Sequence, residues 1–271
     1  MADGSTPVEV WRHRGETAQW AHDQLITEHP VALVFNGLSH AVMMATPTDL
    51  EDFALGFALS EGLIERPADC HDLDVIEGPH GSELRLQVSA RAFEALKAHR
   101  RQMSGRTGCG LCGIDSLQAL AARHPSALPA SRTTATAEAV GIGPQAVLRA
   151  IAQLHAGQRL QAGTGGCHAA AWASPDGTLR AVREDVGRHN ALDKLIGHLA
   201  REERLGEPGF AVVSSRASYE LVSKCVRVGI PTLAAISAPT SLAVDMARQT
   251  GLRLYGFCRG DTAVDYSAQR G

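Results

Sequence analysis

From residue 30 onward the chain sets short apolar runs between turn residues. Pro30 to Phe35 is apolar and β-prone, Asn36-Gly37 is a strong hairpin signal, and Ala41 to Met44 reads as the return strand. Leu50, Phe53, Ala54, Phe57, Ala58 and Leu63 recur at helical spacing. They predict an amphipathic helix over Asp49–Ile64, with Thr46 or Thr48 as its N-cap. Strands over Asp72–Ile76 and Glu83–Ser89 flank a Gly78-Pro79-His80-Gly81 turn. Helices over Arg91–Gln102 and Ile114–Arg123 enclose a glycine-rich run, and residues 125–136, rich in Pro, Ser, Ala and Thr, lose periodicity as a linker does.

The second half has a different pattern. Helix Pro144–Leu154 is followed by Gly163-Thr164-Gly165-Gly166, then by a hairpin of Ala169–Ala173 and Leu179–Arg183 across Pro175-Asp176-Gly177, then by helix Arg188–Arg201. Strand Phe210–Val213, helix Ser218–Val228, strand Thr232–Ile236, helix Thr240–Gln249 and strand Leu252–Phe257 succeed one another. That order is a βαβαβ unit with a largely parallel sheet. The fold class expected is α/β, with a smaller N-terminal α+β domain at 1–125, a linker at 126–142 and a C-terminal domain at 143–271.

With 271 residues and 44% hydrophobic content the chain can bury a large core, and 4% aromatics make that core aliphatic. A net charge of -3 gives no global field for nucleic acid. No apolar stretch is long enough for a membrane span and the N-terminus lacks signal-peptide character, so the expectation is a cytosolic protein whose six cysteines are reduced.

Three groups of residues carry candidate chemistry. The first is Arg106-Thr107-Gly108-Cys109-Gly110-Leu111-Cys112-Gly113. Glycines around each cysteine allow close approach, and Arg101 and Arg106 favour thiolate. The pair reads as a persulfide carrier, a redox pair, or, with Cys167-His168, a zinc site. The second group is the strand ends Ser214-Ser215-Arg216, Ser237-Ala238-Pro239-Thr240 and Phe257-Cys258-Arg259-Gly260-Asp261-Thr262. Ligands bind beyond the carboxyl ends of such strands, and hydroxyls, helix N-termini and arginines suit phosphate. The third is Glu184-Asp185-Val186-Gly187-Arg188-His189-Asn190 with Asp193 and Lys194. A cap and a salt bridge explain Asp185 and Lys194, while Arg188, His189 and Asn190 suit a phosphate or a polar heterocycle. There is no Walker A run and no G-x-G-x-x-G after a strand.

These runs, with Gly166-Cys167-His168-Ala169-Ala170-Ala171-Trp172 and Ser214-Ser215-Arg216-Ala217-Ser218-Tyr219-Glu220, resemble the formate dehydrogenase accessory sulfurtransferases, the FdhD family, from about residue 28 onward. The resemblance implies a sulfur carrier that takes sulfur from a cysteine desulfurase as a persulfide. It would pass that sulfur to the molybdenum or tungsten bis(molybdopterin guanine dinucleotide) cofactor before insertion into formate dehydrogenase. It further implies Cys109 as the persulfide cysteine and Cys112 as its helper, Phe257, Cys258, Arg259, Gly260, Asp261 and Thr262 as the cofactor-binding segment, a symmetric homodimer, and GDP as a surrogate ligand. Ser237 and Arg216 join that site from the strand-end argument. The implied C-terminal fold is the three-layer cytidine-deaminase-like one. Zinc deaminases need H-x-E and P-C-x-x-C, whereas His168-Ala169-Ala170 lacks the glutamate, so deamination is excluded. The alternative is a nucleotide-binding module regulated by zinc or a disulfide, without sulfur transfer.

Overall fold

The computed structural model describes residues 4–100 and 141–268. The expected helix at 114–123, the linker up to residue 140, and Cys109 and Cys112 lie outside them. The chain opens with Ser5–Arg14 (β1) and Thr17–Ile26 (β2), an antiparallel pair that places Trp11 opposite Trp20. Sequence pattern missed this pair because its alternation is between half-buried and exposed positions, with little apolar contrast. His29–Phe35 (β3) and Leu38–Ala45 (β4) form the expected hairpin, and the turn places Asn36 at φ 46 and Gly37 at φ 80, as a primed turn requires.

Leu50–Ser60 (α1) differs from expectation at both ends. Asp49, at φ 51, precedes the helix, and neither threonine caps it. Thr46 Oγ1 instead accepts the N–H of Val186, 3.1 Å away in the other half of the chain. The helix stops at Ser60 because the backbone turns back: Gly62 takes φ 71 and the N–H groups of Leu63 and Ile64 both return to the Ala58 carbonyl. Cys70–Gly78 (β5) and Gly81–Val88 (β6) complete a four-stranded sheet of order β4-β3-β6-β5, and Ala90–Arg100 (α2) follows.

The C-terminal half runs Pro144–Gly157 (α3), Arg159–Thr164 (α4), His168–Ala173 (β7), Leu179–Asp185 (β8) and Arg188–Arg201 (α5). It continues Phe210–Val213 (β9), Tyr219–Val228 (α6), Thr232–Ala235 (β10), Ser241–Thr250 (α7), Arg253–Arg259 (β11) and Thr262–Asp265 (β12). The sheet order is β12-β11-β10-β9-β7-β8, with β9, β10 and β11 parallel and the flanking pairs antiparallel. Part of the expected glycine loop is helical in α4, which ends at Gly165 with φ 66.

Alternation along the strands separates two cores. Ala171, Val212, Ala234 and Tyr255 face α3, which contributes Ala146, Val147, Ala150 and Leu154. Ala170, Trp172, Val213, Leu233 and Leu254 face α5, α6 and α7. This second core runs across the expected domain boundary. It takes in α1 and the inner positions Val31, Leu33, Phe35, Leu84 and Leu86 of the four-stranded sheet. The result is a mixed α/β fold in which a helix lies on one face of the six-stranded sheet and a helix layer on the other joins it to the N-terminal unit.

The junction is a crossing of α1 over α5 at two glycines. A Cβ on Gly56 would fall 1.7 Å from the Asp193 carbonyl oxygen, and one on Gly197 would fall 1.8 Å from that of Asp52. Backbone meets backbone there, which only glycine permits. No helix among the described residues is long and apolar enough to cross a membrane. Gly197→Ala is expected to destabilise the fold by about 3 kcal/mol in urea denaturation, since neither backbone can give way without moving a helix. Gly206→Ala, where an added Cβ meets nothing within 4 Å, is the matched control and should be near neutral.

Candidate functional site

The carboxyl ends of β9, β10 and β11 and the loops beyond them run side by side. Ser237 N–H reaches the Ser215 carbonyl at 3.4 Å, Phe257 N–H reaches the Ser237 carbonyl at 3.2 Å, and Thr240 N–H reaches the Ala217 carbonyl at 3.0 Å. Ala217 and Pro239 form an isolated parallel bridge. Ser214 Oγ accepts the N–H of Ala169 at 2.9 Å, which ties the start of β7 to the same end. Asp185, the last residue of β8, pairs with His168 in register. One edge of the sheet therefore gathers His168, Ser214, Arg216, Ser237, Phe257 and Arg259, with the N-termini of α5, α6 and α7.

The expected site residues fall into distinct positions along this edge. Arg216 and Arg259 are exposed and Ser237 is half-buried. Phe257 adopts φ 50, a left-handed conformation unusual for an aromatic residue, within a register shift between Gly256 and Arg259. The Arg259 guanidinium lies 5.9 Å from the centre of the Phe257 ring. Gly260, at φ 58, and Asp261 form the turn into β12, where Asp261 accepts the Thr262 hydroxyl at 3.3 Å. Cys258 points the other way, into the core under α3, and burial pushes its thiol up to about 11. Any contact Cys258 makes with a ligand on this edge comes from its backbone.

The Glu184–Lys194 stretch divides into a structural part and an open part. Asp185 and Lys194 are both fully buried, with Nζ 2.7 Å from Oδ2. Asp185 also accepts the N–H groups of Thr46 (3.0 Å) and Gly187 (2.8 Å) and the Asn190 amide (2.9 Å). Lys194 donates to the Thr46 carbonyl at 2.9 Å, and Asn190 to that of Met44 at 2.8 Å. These groups lock the end of β4 onto α5, so Asn190 is committed to the fold. Glu184 caps α4, accepting the N–H groups of Leu160 and Gln161, and the Cys167 thiol donates to it at 3.3 Å. Burial and then Glu184 hold that thiol up at about 12.

What remains open is Arg188, His189 and His168, with Ser218 and Glu220 across from them. His189 Nε2 lies 3.8 Å from a Glu220 carboxylate oxygen. That ring, then Ser218 and Glu220's own backbone N–H, hold the Glu220 carboxyl down at about 2. Burial, then the charges of Arg188 and His189, push His168 down, against the opposite pull of Asp185. Among the described residues no group of three or more His, Cys, Asp or Glu is arranged to hold a metal ion. The sequence runs flagged His168, Arg188 and His189, but not Glu220 as the partner of His189. Only the approach of α5 and α6 at their N-termini brings these two side chains together.

A family model described as the FdhD/NarQ family matches residues 26–270. The chain is 53% identical to "Sulfur carrier protein FdhD" of Chromobacterium violaceum over 266 residues, which covers 98% of this chain and 96% of that one. It is 51% identical to the protein of the same description in Burkholderia cenocepacia, covering 97% and 94%. The crystal structure of a candidate formate dehydrogenase accessory protein from Desulfotalea psychrophila has the same fold, with a TM-score of 0.70 at 20% identity and 97% of each chain covered.

Two outcomes follow from the electrostatics. Lys194→Met leaves the buried Asp185 charge without its counter-ion and should cost about 3–5 kcal/mol in denaturant titration, part of which Asp185→Asn in the same chain restores. Glu220 ionises well below its ordinary 4.5, at about 2, so its stabilising contribution is complete above about pH 4.5 and is lost as pH falls through about 2. Glu220→Gln should flatten the acid limb of the stability curve in that window, measured by thermal denaturation at stepped pH.

Proposed function

The chain belongs to the FdhD/NarQ family, and we propose from that premise that it is a sulfur carrier serving formate dehydrogenase. The carrying observation is near-complete coverage, at about half identity, of relatives described as sulfur carrier proteins. In this reading the Cys109 thiolate attacks the terminal sulfur of a cysteine desulfurase persulfide. The desulfurase thiolate leaves and Cys109–S–SH remains, with no net change of oxidation state. Cys112 assists release: its thiolate attacks Cys109 Sγ, expels hydrosulfide and leaves a disulfide that a thiol reductant reopens. The acceptor is the molybdenum bis(molybdopterin guanine dinucleotide) cofactor, bound as substrate before it enters formate dehydrogenase.

The convergence of Arg216, Ser237 and the 257–262 turn at the carboxyl ends of three parallel strands supports the binding half of the proposal. Backbone N–H groups at the starts of α6 and α7 favour phosphoryl oxygens there. The Arg259 guanidinium beside the Phe257 ring offers a charged donor next to an aromatic surface. Such a surface suits the guanine end of the ligand.

Incubation with a cysteine desulfurase and cysteine should add one sulfur atom to the wild-type chain in intact-mass spectrometry, and Cys109→Ala should abolish it. GDP titration should show binding that Arg259→Ala weakens about tenfold. An equal persulfide yield in Cys109→Ala removes that cysteine from the mechanism. Stoichiometric zinc lost in Cys112→Ser would favour a metal-regulated module instead.

A further inference from the structure

Two apolar surfaces of this chain lie uncovered. The first is the β1–β2 ribbon, which is fastened to the body at its base. There a Cβ on Gly4 would fall 3.0 Å from the side chain of Leu160 in α4, and one on Gly166 would fall 3.0 Å from Ile26. The Thr27 N–H closes the base on the Gly4 carbonyl at 2.9 Å. The principal packing of the ribbon on another element is that of β2 on α4. Farther out, register sets Trp11 opposite Trp20, and their rings meet edge to face with centroids 5.2 Å apart. Trp11 is 50% exposed and Trp20 69%, whereas the third tryptophan, Trp172, is buried in the core. A two-stranded ribbon is marginally stable alone in water and needs a surface to pack on.

The second surface is the outer face of the four-stranded sheet. Val31, Leu33 and Phe35 of β3 point into the core, so Pro30, Ala32 and Val34 point away from it. Met44 pairs with Pro30 and Val42 with Ala32, which extends this apolar strip onto β4. Val42 is 59% exposed and Met44 45%. On the β6 side the strip is bordered by Glu83 and Arg85, whose charges neutralise each other at 2.7 Å. The strip begins at the base of the ribbon, since only Thr27 and Glu28 separate β2 from β3. Both surfaces belong to one chain, and neither covers the other.

We propose that a second copy of this chain covers both: in a two-fold symmetric pair, the ribbon of each copy lies on the outer sheet face of the other, with Trp11 and Trp20 against Val42 and Met44. The inference is independent of the sulfur chemistry and names the two surfaces that meet. Reach agrees with it. Trp20 stands six residues from Ile26, about 20 Å along a strand, and each strip begins at the base of its own ribbon. Two ribbons running antiparallel carry each tryptophan pair to the other copy's strip, the reciprocal contact that two-fold symmetry requires. Area agrees as well. A whole tryptophan presents up to about 250 Å², so the exposed parts of Trp11 and Trp20 amount to roughly 300 Å² per copy. With the matching area on the strips, two such contacts bury on the order of 1,200 Å², the lower end for a stable specific interface.

The test is sedimentation equilibrium of the full chain from nanomolar to high-micromolar concentration, with tryptophan emission recorded on the same samples. The wild type should dimerise, and its emission should move to longer wavelength on dilution, as Trp11 and Trp20 return to water while Trp172 stays buried. Trp11→Ser combined with Trp20→Ser should weaken dimerisation at least about a hundredfold, and Val42→Glu should do likewise. All three side chains are exposed, so circular dichroism of both variants should match the wild type. A mixture of the two variants should associate more tightly than either alone, because one intact ribbon then meets one intact face. A wild type that stays monomeric at high-micromolar concentration overturns the proposal, and that measurement needs no variant to fold. A double tryptophan variant that dimerises as tightly as the wild type overturns it too, since the pair then forms through another surface. A mixture no tighter than its components overturns the exchange. Persulfide loading of Cys109, measured alongside, decides the sulfur-carrier reading separately.

Discussion

The contact on which the rest depends is the crossing of α1 and α5 at Gly56 and Gly197. Helix backbones rarely come close enough for one residue's missing Cβ to be occupied by another helix's carbonyl oxygen. Here it happens twice, in reciprocal positions. The crossing lets Phe53, Phe57, Leu192 and Ile196 share one core and makes the two halves a single packed object. It also fixes the axis of α5, and with it the position of Arg188 and His189 at its first turn.

The charges around the crossing act in the same direction. Asp185 and Lys194 are removed from water entirely, and their net contribution to stability is small because desolvation offsets attraction. Their effect is registry. Asp185 draws in two backbone N–H groups and an amide, one of them from the segment after β4, so the loop that was expected to cap α1 is held against β8 instead. Nearby, the Lys224 ammonium bridges Asp193 and Glu61 and the Ser60 hydroxyl, again joining α1 to the C-terminal helices. Asp52 does likewise with Arg183 and Arg201. Polar groups inside this interface specify one docking geometry where apolar packing alone would tolerate several.

The strands and helices from Phe210 to Thr250 are legible because each element is short, apolar or clearly periodic, whereas the short return strand Thr262–Asp265 has no apolar run and is not read from sequence. Helix Arg188–Arg201 matched at both ends for the same reason. What sequence could not show was anything set by contacts between distant residues. Thr46 reads as a cap until Val186 claims its hydroxyl. Asn190 reads as a ligand donor until Met44 and Asp185 take its amide. Cys258 sits in a run of candidate contacts, yet the register shift between Gly256 and Arg259 turns its side chain under α3, to the same side as Tyr255. The hairpin β1–β2 contributes to neither core, and its apolar residues fall on both of its faces, with Trp11, Trp20 and Leu25 exposed, so no single buried stripe marks it in the sequence.

The described thiols have a consequence of their own. Cys70, Cys167, Cys225 and Cys258 all have their acidity suppressed by burial, the last three to about 12, 12 and 11. At neutral pH none of them is an anion, and exchange of sulfur between cysteines proceeds through the anion. A loosely held sulfur atom that reaches this protein therefore finds a scaffold that is chemically deaf to it. These four positions therefore stand aside from thiol exchange near neutral pH.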